Sequence, residues 1–178
     1  ALSLGIASAT TAGIVHHLQQ VPQTIENTNT YVLTVNPTNT GVLNRIGWLG
    51  RSDKNDDYAI LGQESFESFT DEFADGNHGV LVITGHHQGG TSKIYGGGQN
   101  VYLRSLPKSE QIEAVIFSSC KTVGNDNATR EGIYRPLLEK FPNLKTIVGF
   151  KYKSLREDGV VPAIVAEKLR YLHEEEGL

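Results

Sequence analysis

Two apolar runs in this chain end beside side chains that could do chemistry. "VLVIT" at 80–84 leads into "GHHQGG" at 85–90, and "AVIF" at 114–117 leads into "SSC" at 118–120. Cys120 is the only cysteine in the chain. A thiol attacks a carbonyl carbon as the thiolate, and it needs a neighbouring base or cation to reach that form. An imidazole within hydrogen-bond reach takes the proton and later delivers it to a leaving group. His86 and Cys120 are the residues expected to fill these roles. The oxyanion that develops needs backbone N–H donors, and those of His87 and Cys120 are the candidates. Gly85, Gly89 and Gly90 leave room there for a substrate backbone.

Plainer readings of the same residues exist. A lone cysteine after an apolar strand is often a small buried hydrophobe. The histidine pair admits a shifted register, with His87 as the base and "QGG" behind it. Two histidines and a thiol suggest zinc, but adjacent histidines rarely both reach one ion. No fourth ligand sits at a familiar spacing, so no metal is expected. His16, His17 and His173 read as exposed helix residues, and His78 as a turn residue.

Whether the two candidates can meet depends on the elements that carry them. "YVLTVN" (31–36), "YAILG" (58–62), "GVLVIT" (79–84), "EAVIFSS" (113–119) and "LKTIVGF" (144–150) read as strands. Phe66, Phe69 and Phe73 lie three and four apart, which predicts an amphipathic helix stopped by Gly76. Tyr134, Leu137, Leu138 and Phe141 mark a second helix, with Pro136 at an early turn or kink. Val161, Ile164, Val165, Leu169 and Leu172 mark a closing helix. The stretch 41–50 is a short helix or an extended segment, and 51–57 a solvated loop. "GGTSKIYGGGQNVYLRSL" reads as a hairpin or flap, followed by a helical turn near "PKSEQ". Its glycines invite comparison with phosphate-cradling loops, but neither a Gly-Lys-Ser/Thr ending nor a G-x-G-x-x-G spacing is present.

The central strands are continuously apolar and alternate with helices. That pattern predicts an α/β three-layer sandwich with a mostly parallel central sheet covered on both faces. Such sheets carry their chemistry beyond the carboxyl ends of the strands. His86 and Cys120 both follow such ends.

Composition narrows the classes further. The chain has 178 residues, of which 38% are hydrophobic, enough for one domain with a real core. The formal net charge is −4 with basic residues scattered, which argues against a nucleic-acid partner. A single cysteine excludes an internal disulfide framework and leaves the compartment open, cytoplasmic or secreted. Methionine is absent, and a processed product or a piece of something longer is expected. The opening "ALSLGIASATTAGIV" is short for a membrane span and lacks a basic leader region. Residues 1–25 are expected to be a helical or leader-like segment, and 26–178 the main domain.

The pair "VLVITGHHQGG" and "AVIFSSCKTVG" resembles the signature of the caspase-like cysteine peptidases, closest to the CHAT-type bacterial members. The family pattern is an apolar strand with His-Gly, then a later apolar strand with a small residue and Cys. The resemblance covers roughly residues 31–175. It implies His86 as general base and acid, Cys120 as nucleophile, and Ser119 as the small residue before it. Where the family has glycine after the catalytic histidine, this chain has His87, which narrows the space for an oxyanion.

The resemblance also implies a specificity pocket built after the last strand, where Lys151, Lys153 and Arg156 precede Glu157 and Asp158. Both charge signs occur there, so the preferred substrate residue stays open. Asp126 and its neighbouring asparagines could orient the histidine, though capping a helix suits that cluster better. The expectation is a cysteine endopeptidase working through a thioester, with no cofactor. Its partners would be a peptide or protein substrate and an activating or inhibitory protein. The alternatives are a catalytically inactive caspase-like scaffold and a flavodoxin-like binding domain.

Overall fold

The computed structural model describes residues 4–8, 25–27, 29–35, 57–61 and 65–151. Within them the chain forms β1 (Leu4–Ser8), β2 (Thr30–Thr34), β3 (Asp57–Ile60), α1 (Phe66–Asp75) and β4 (Val80–Thr84). Then come β5 (His86–His87), β6 (Lys93–Gly96), β7 (Gln99–Tyr102), a 3₁₀ turn at Leu103–Ser105, and β8 (Ala114–Ser118). Finally, α2 (Asn127–Thr129) passes through a π-helical segment, Arg130–Tyr134, into α3 (Arg135–Lys140), followed by β9 (Thr146–Phe150).

The main sheet has the order β1-β9-β8-β4-β2-β3. Strands β3, β2, β4, β8 and β9 run parallel, and β1 closes one edge antiparallel to β9. The fold is therefore mixed α/β with a parallel core sheet. Its central strands are buried along their whole length, which is why their sequences read as unbroken apolar runs.

Successive residues of a strand face opposite sides, and the two sides bury different groups. Tyr31, Leu33, Leu81, Ile83, Val115, Phe117 and Ile147 join a core with Phe69 and Phe73 of α1 and with Ile133, Tyr134 and Leu137. Tyr31 is the hub of its aromatic part, edge-on to Phe69 and Phe73 at 5.5 Å and to His78 at 5.1 Å. On the other side Val32, Val82, Ile116 and Val148 are buried as well.

Most elements fall where the sequence placed them. The first helix starts at Ser65, whose hydroxyl accepts from the Ser68 N–H, and ends with the Gly76 N–H on the Glu72 carbonyl. Pro136 stands at the head of α3, just past the π segment. It has no N–H to give to the turn before it, which suits the change of helical hydrogen bonding there.

Four expectations need correction or lie elsewhere. The opening segment was expected to be helical or leader-like; within it, Leu4–Ser8 forms a strand that pairs with Phe150–Thr146. The helical turn expected near "PKSEQ" lies slightly earlier, at Leu103–Ser105. The closing helix and the stretch 41–50 lie outside the described residues.

Candidate active site at the carboxyl edge of the sheet

Strands β4 and β8 are neighbours, and their last residues, Thr84 and Ser118, pair in register. His86 and Cys120 each stand two residues beyond that pair. Adjacent strands lie about 4.8 Å apart, so the histidine loop and the cysteine turn leave the same edge side by side.

The histidine loop is shaped by Gly85. Its φ of 153° is one that side chains rarely adopt, and a Cβ would meet Ile94 Cγ2 at 2.8 Å. From there the chain turns into β5, the first strand of an antiparallel β5-β6-β7 sheet. His86 pairs with Tyr95 and His87 with Ile94. The half-buried His86 ring rests against the Tyr95 ring, centroids 5.4 Å apart, and Lys93 Nζ lies 5.3 Å from the Tyr95 centroid. The expected hairpin is present: β6 and β7 are joined by Gly97 and Gly98, both with positive φ, as a two-residue hairpin turn needs.

Cys120 is partly exposed, on a turn that many bonds hold. The Thr122 and Val123 N–H groups donate to the Phe150 carbonyl at 2.9 and 3.3 Å. The Thr122 hydroxyl donates to the Ser119 carbonyl at 3.2 Å and accepts from the Phe150 N–H at 3.3 Å. Beyond it, the Gly124 N–H donates to Tyr134 Oη at 2.8 Å, and the Tyr134 hydroxyl donates to the Gly124 carbonyl at 3.0 Å. Burial pushes the Tyr134 hydroxyl above its ordinary pKa. Lys121, directly after the cysteine, has a φ of 51°, a left-handed conformation uncommon for a side-chain residue and frequent at functional turns.

His87 differs from its neighbour. Its ring is buried, with Nδ1 2.8 Å from the Cys120 carbonyl oxygen and Nε2 2.9 Å from that of Thr91. Sequence reading considered only its backbone N–H or a shifted register, and missed this bridge. Nothing in local spacing announces it, since its partners lie on two separate turns. The holding roles of Thr122 and Tyr134 were equally invisible, although Tyr134 was placed on the correct helical face.

The remaining candidates are scattered. Asp126 caps α2, accepting from the Thr129 N–H and hydroxyl at 2.8 Å each. Those two bonds hold its carboxyl below the ordinary carboxylate range. Lys151 follows β9 directly and is exposed at the same edge of the sheet, while Lys153 and Arg156 lie outside the described residues. His78 is buried among aromatic rings rather than in an open turn. Among the described residues no group of three or more His, Cys, Asp or Glu could hold a metal ion. Among them, too, no helix is long and apolar enough to cross a membrane.

Comparison with family models, curated proteins and solved structures finds no match. The functional reading therefore stands on the geometry of this edge.

Proposed function

We propose that the chain is a cysteine endopeptidase of the caspase-like type, a three-layer α/β sandwich with His86 as the base and Cys120 as the nucleophile. One observation carries the reading: the Thr84–Ser118 register sends a histidine and the lone cysteine off the same sheet edge from adjacent parallel strands. The engagement of both His87 ring nitrogens with carbonyls favours His86 as the proton acceptor. Partial exposure of Cys120 argues against a purely packing role.

His86 takes the thiol proton, and the Cys120 sulfur bonds to the substrate carbonyl carbon. The oxyanion formed is met by backbone N–H groups of His87 and Cys120. Collapse breaks the C–N bond, the imidazolium protonates the leaving amine, and a thioester remains. Water then gives a proton to His86 as its oxygen attacks the thioester. The C–S bond breaks, the acid product leaves, and the thiol regains its proton. The held turn from Ser119 to Gly124 would keep the sulfur in place through both halves.

Incubation with a diverse peptide library, with products read by mass spectrometry, tests this directly. Cleavage is expected from the wild-type chain, with one preferred residue on the acyl side. Cys120→Ala is expected to lose cleavage while keeping its circular dichroism and unfolding midpoint. Turnover by Cys120→Ala close to wild type would remove the assignment.

A further inference from the structure

His87 is a buried ionisable group that the proposed reaction uses only through its backbone. The residue is 5% exposed, and its side chain sits between two turns from distant parts of the chain. Nδ1 faces the Cys120 carbonyl at 2.8 Å, and Nε2 faces the Thr91 carbonyl at 2.9 Å. Both partners are acceptors only. A neutral imidazole has one N–H and one lone pair, so it bonds one carbonyl and turns a lone pair on the other. With a proton on each nitrogen it donates to both, through stronger charge-assisted bonds.

Both carbonyls sit in tightly packed surroundings. Thr91 lies against the π segment, where a Cβ on Gly132 would lie 2.9 Å from the Thr91 oxygen. The Cys120 carbonyl belongs to the turn held by Thr122 and Tyr134. The ionisable groups on the surrounding elements are His86 beside it, Lys93 and Tyr95 on β6, and Cys120 and Lys121 on the turn after β8. Asp126 precedes α2, and Arg130, Glu131 and Tyr134 lie in the π segment. Asp126 is committed to Thr129, and Glu131 to Arg135 at 2.8 Å. The ring's hydrogen-bond partners are two peptide carbonyls.

The geometry points to His87 as a protonation-sensitive latch, a positioning residue. With both nitrogens protonated it ties the Cys120 turn to the Thr91 turn, and on loss of one proton it releases one of them. The latch rests on these two contacts alone. Its consequence, pH control over how Cys120 is presented, rests on the peptidase reading.

The test is NMR on the whole chain with ¹⁵N-labelled histidine rings, combined with amide hydrogen exchange, across about pH 5 to about pH 9. His86→Ala and His87→Gln assign the ring signals. The amides of Lys121 and Ser92 directly follow the two latched carbonyls. One of them is expected to exchange about tenfold faster, beyond the base-catalysed trend, as His87 loses its second proton. His87→Gln should lack that step. The exposed hairpin amides of Gly97 and Gly98 give the base-catalysed trend within the wild type, so the comparison survives a variant that fails to fold. A His87 ring holding a single proton throughout, or a titrating ring with both amides on the simple trend, would overturn the latch. Peptide cleavage on the same samples separates the two ideas. An exchange step without cleavage supports the latch and defeats the peptidase, and cleavage without the step does the reverse.

Discussion

Tyr134 shows how much of this edge depends on single side chains. Its hydroxyl both donates to and accepts from Gly124, closing the stretch of chain that begins at Cys120. Tyr134→Phe keeps the ring and removes both bonds, and a stability loss of about 1–2 kcal/mol is expected in denaturant unfolding. A pH signature accompanies it. The folded-state pKa of Tyr134 is raised, so its contribution is complete below the unfolded value of about 10. That contribution fades as pH rises through the folded value. Wild type should lose stability in this alkaline window, and Tyr134→Phe should lose less. Equal alkaline losses in both proteins would contradict the assignment. At this scale the sequence was legible in part. The types and strand-end positions of His86 and Cys120 were readable, because continuous apolar runs give away buried parallel strands. The ring contacts of His87 and the Tyr134 bridge were not, because each joins segments whose meeting depends on the tertiary fold.

At the scale of elements, the histidine loop is wedged between the cysteine turn and the π segment. Gly90 lies where a Cβ would come 3.1 Å from Ala128 Cβ, and Gly89 where one would come 3.0 Å from Lys121 Cδ. Gly132 makes the tightest of these approaches to backbone, against Thr91. Gly132→Ala would normally favour a helix, but here the methyl must displace the Thr91 carbonyl. A net destabilisation of about 1–3 kcal/mol is expected from chemical unfolding, with slower Cys120 alkylation. A stabilised variant would show that the loop and helix do not meet this closely. Helix periodicity predicted this element and its buried face. It could not predict the π segment, which precedes Pro136 and meets the Thr91 loop at Gly132. The Leu4–Ser8 strand escaped for a related reason: its partner, β9, lies at the far end of the described chain.

Across the molecule, the two edges of the sheet have separate duties. The edge opposite the site is held by charge: Lys145 Nζ lies 2.7 Å from Glu113 Oε2 and 3.8 Å from Glu26 Oε1, and the Glu26 N–H donates to Glu113 at 2.9 Å. Burial alone would raise the Glu113 pKa, but the Lys145 and Glu26 hydrogen bonds outweigh it and lower the value. A lowered carboxylate stabilises above its unfolded pKa of about 4.3 and loses that effect as pH falls through the folded value. Glu113→Gln should therefore cost about 1 kcal/mol near neutrality and flatten the acid limb of stability against pH. Cys120 reactivity should be unchanged, since the pair lies at the other end of the strands. A parallel fall in reactivity would mean that the edges are coupled.

The central claim is that His86 activates the Cys120 thiol at the edge shared by β4 and β8. The rate of Cys120 alkylation by iodoacetamide, followed against pH in wild type and His86→Ala, tests it most directly. The account predicts a native thiol that reacts below neutral pH and a loss of that reactivity in the variant. A thiol that stays inert until the chain is unfolded, or one that reacts identically without the His86 ring, would contradict it.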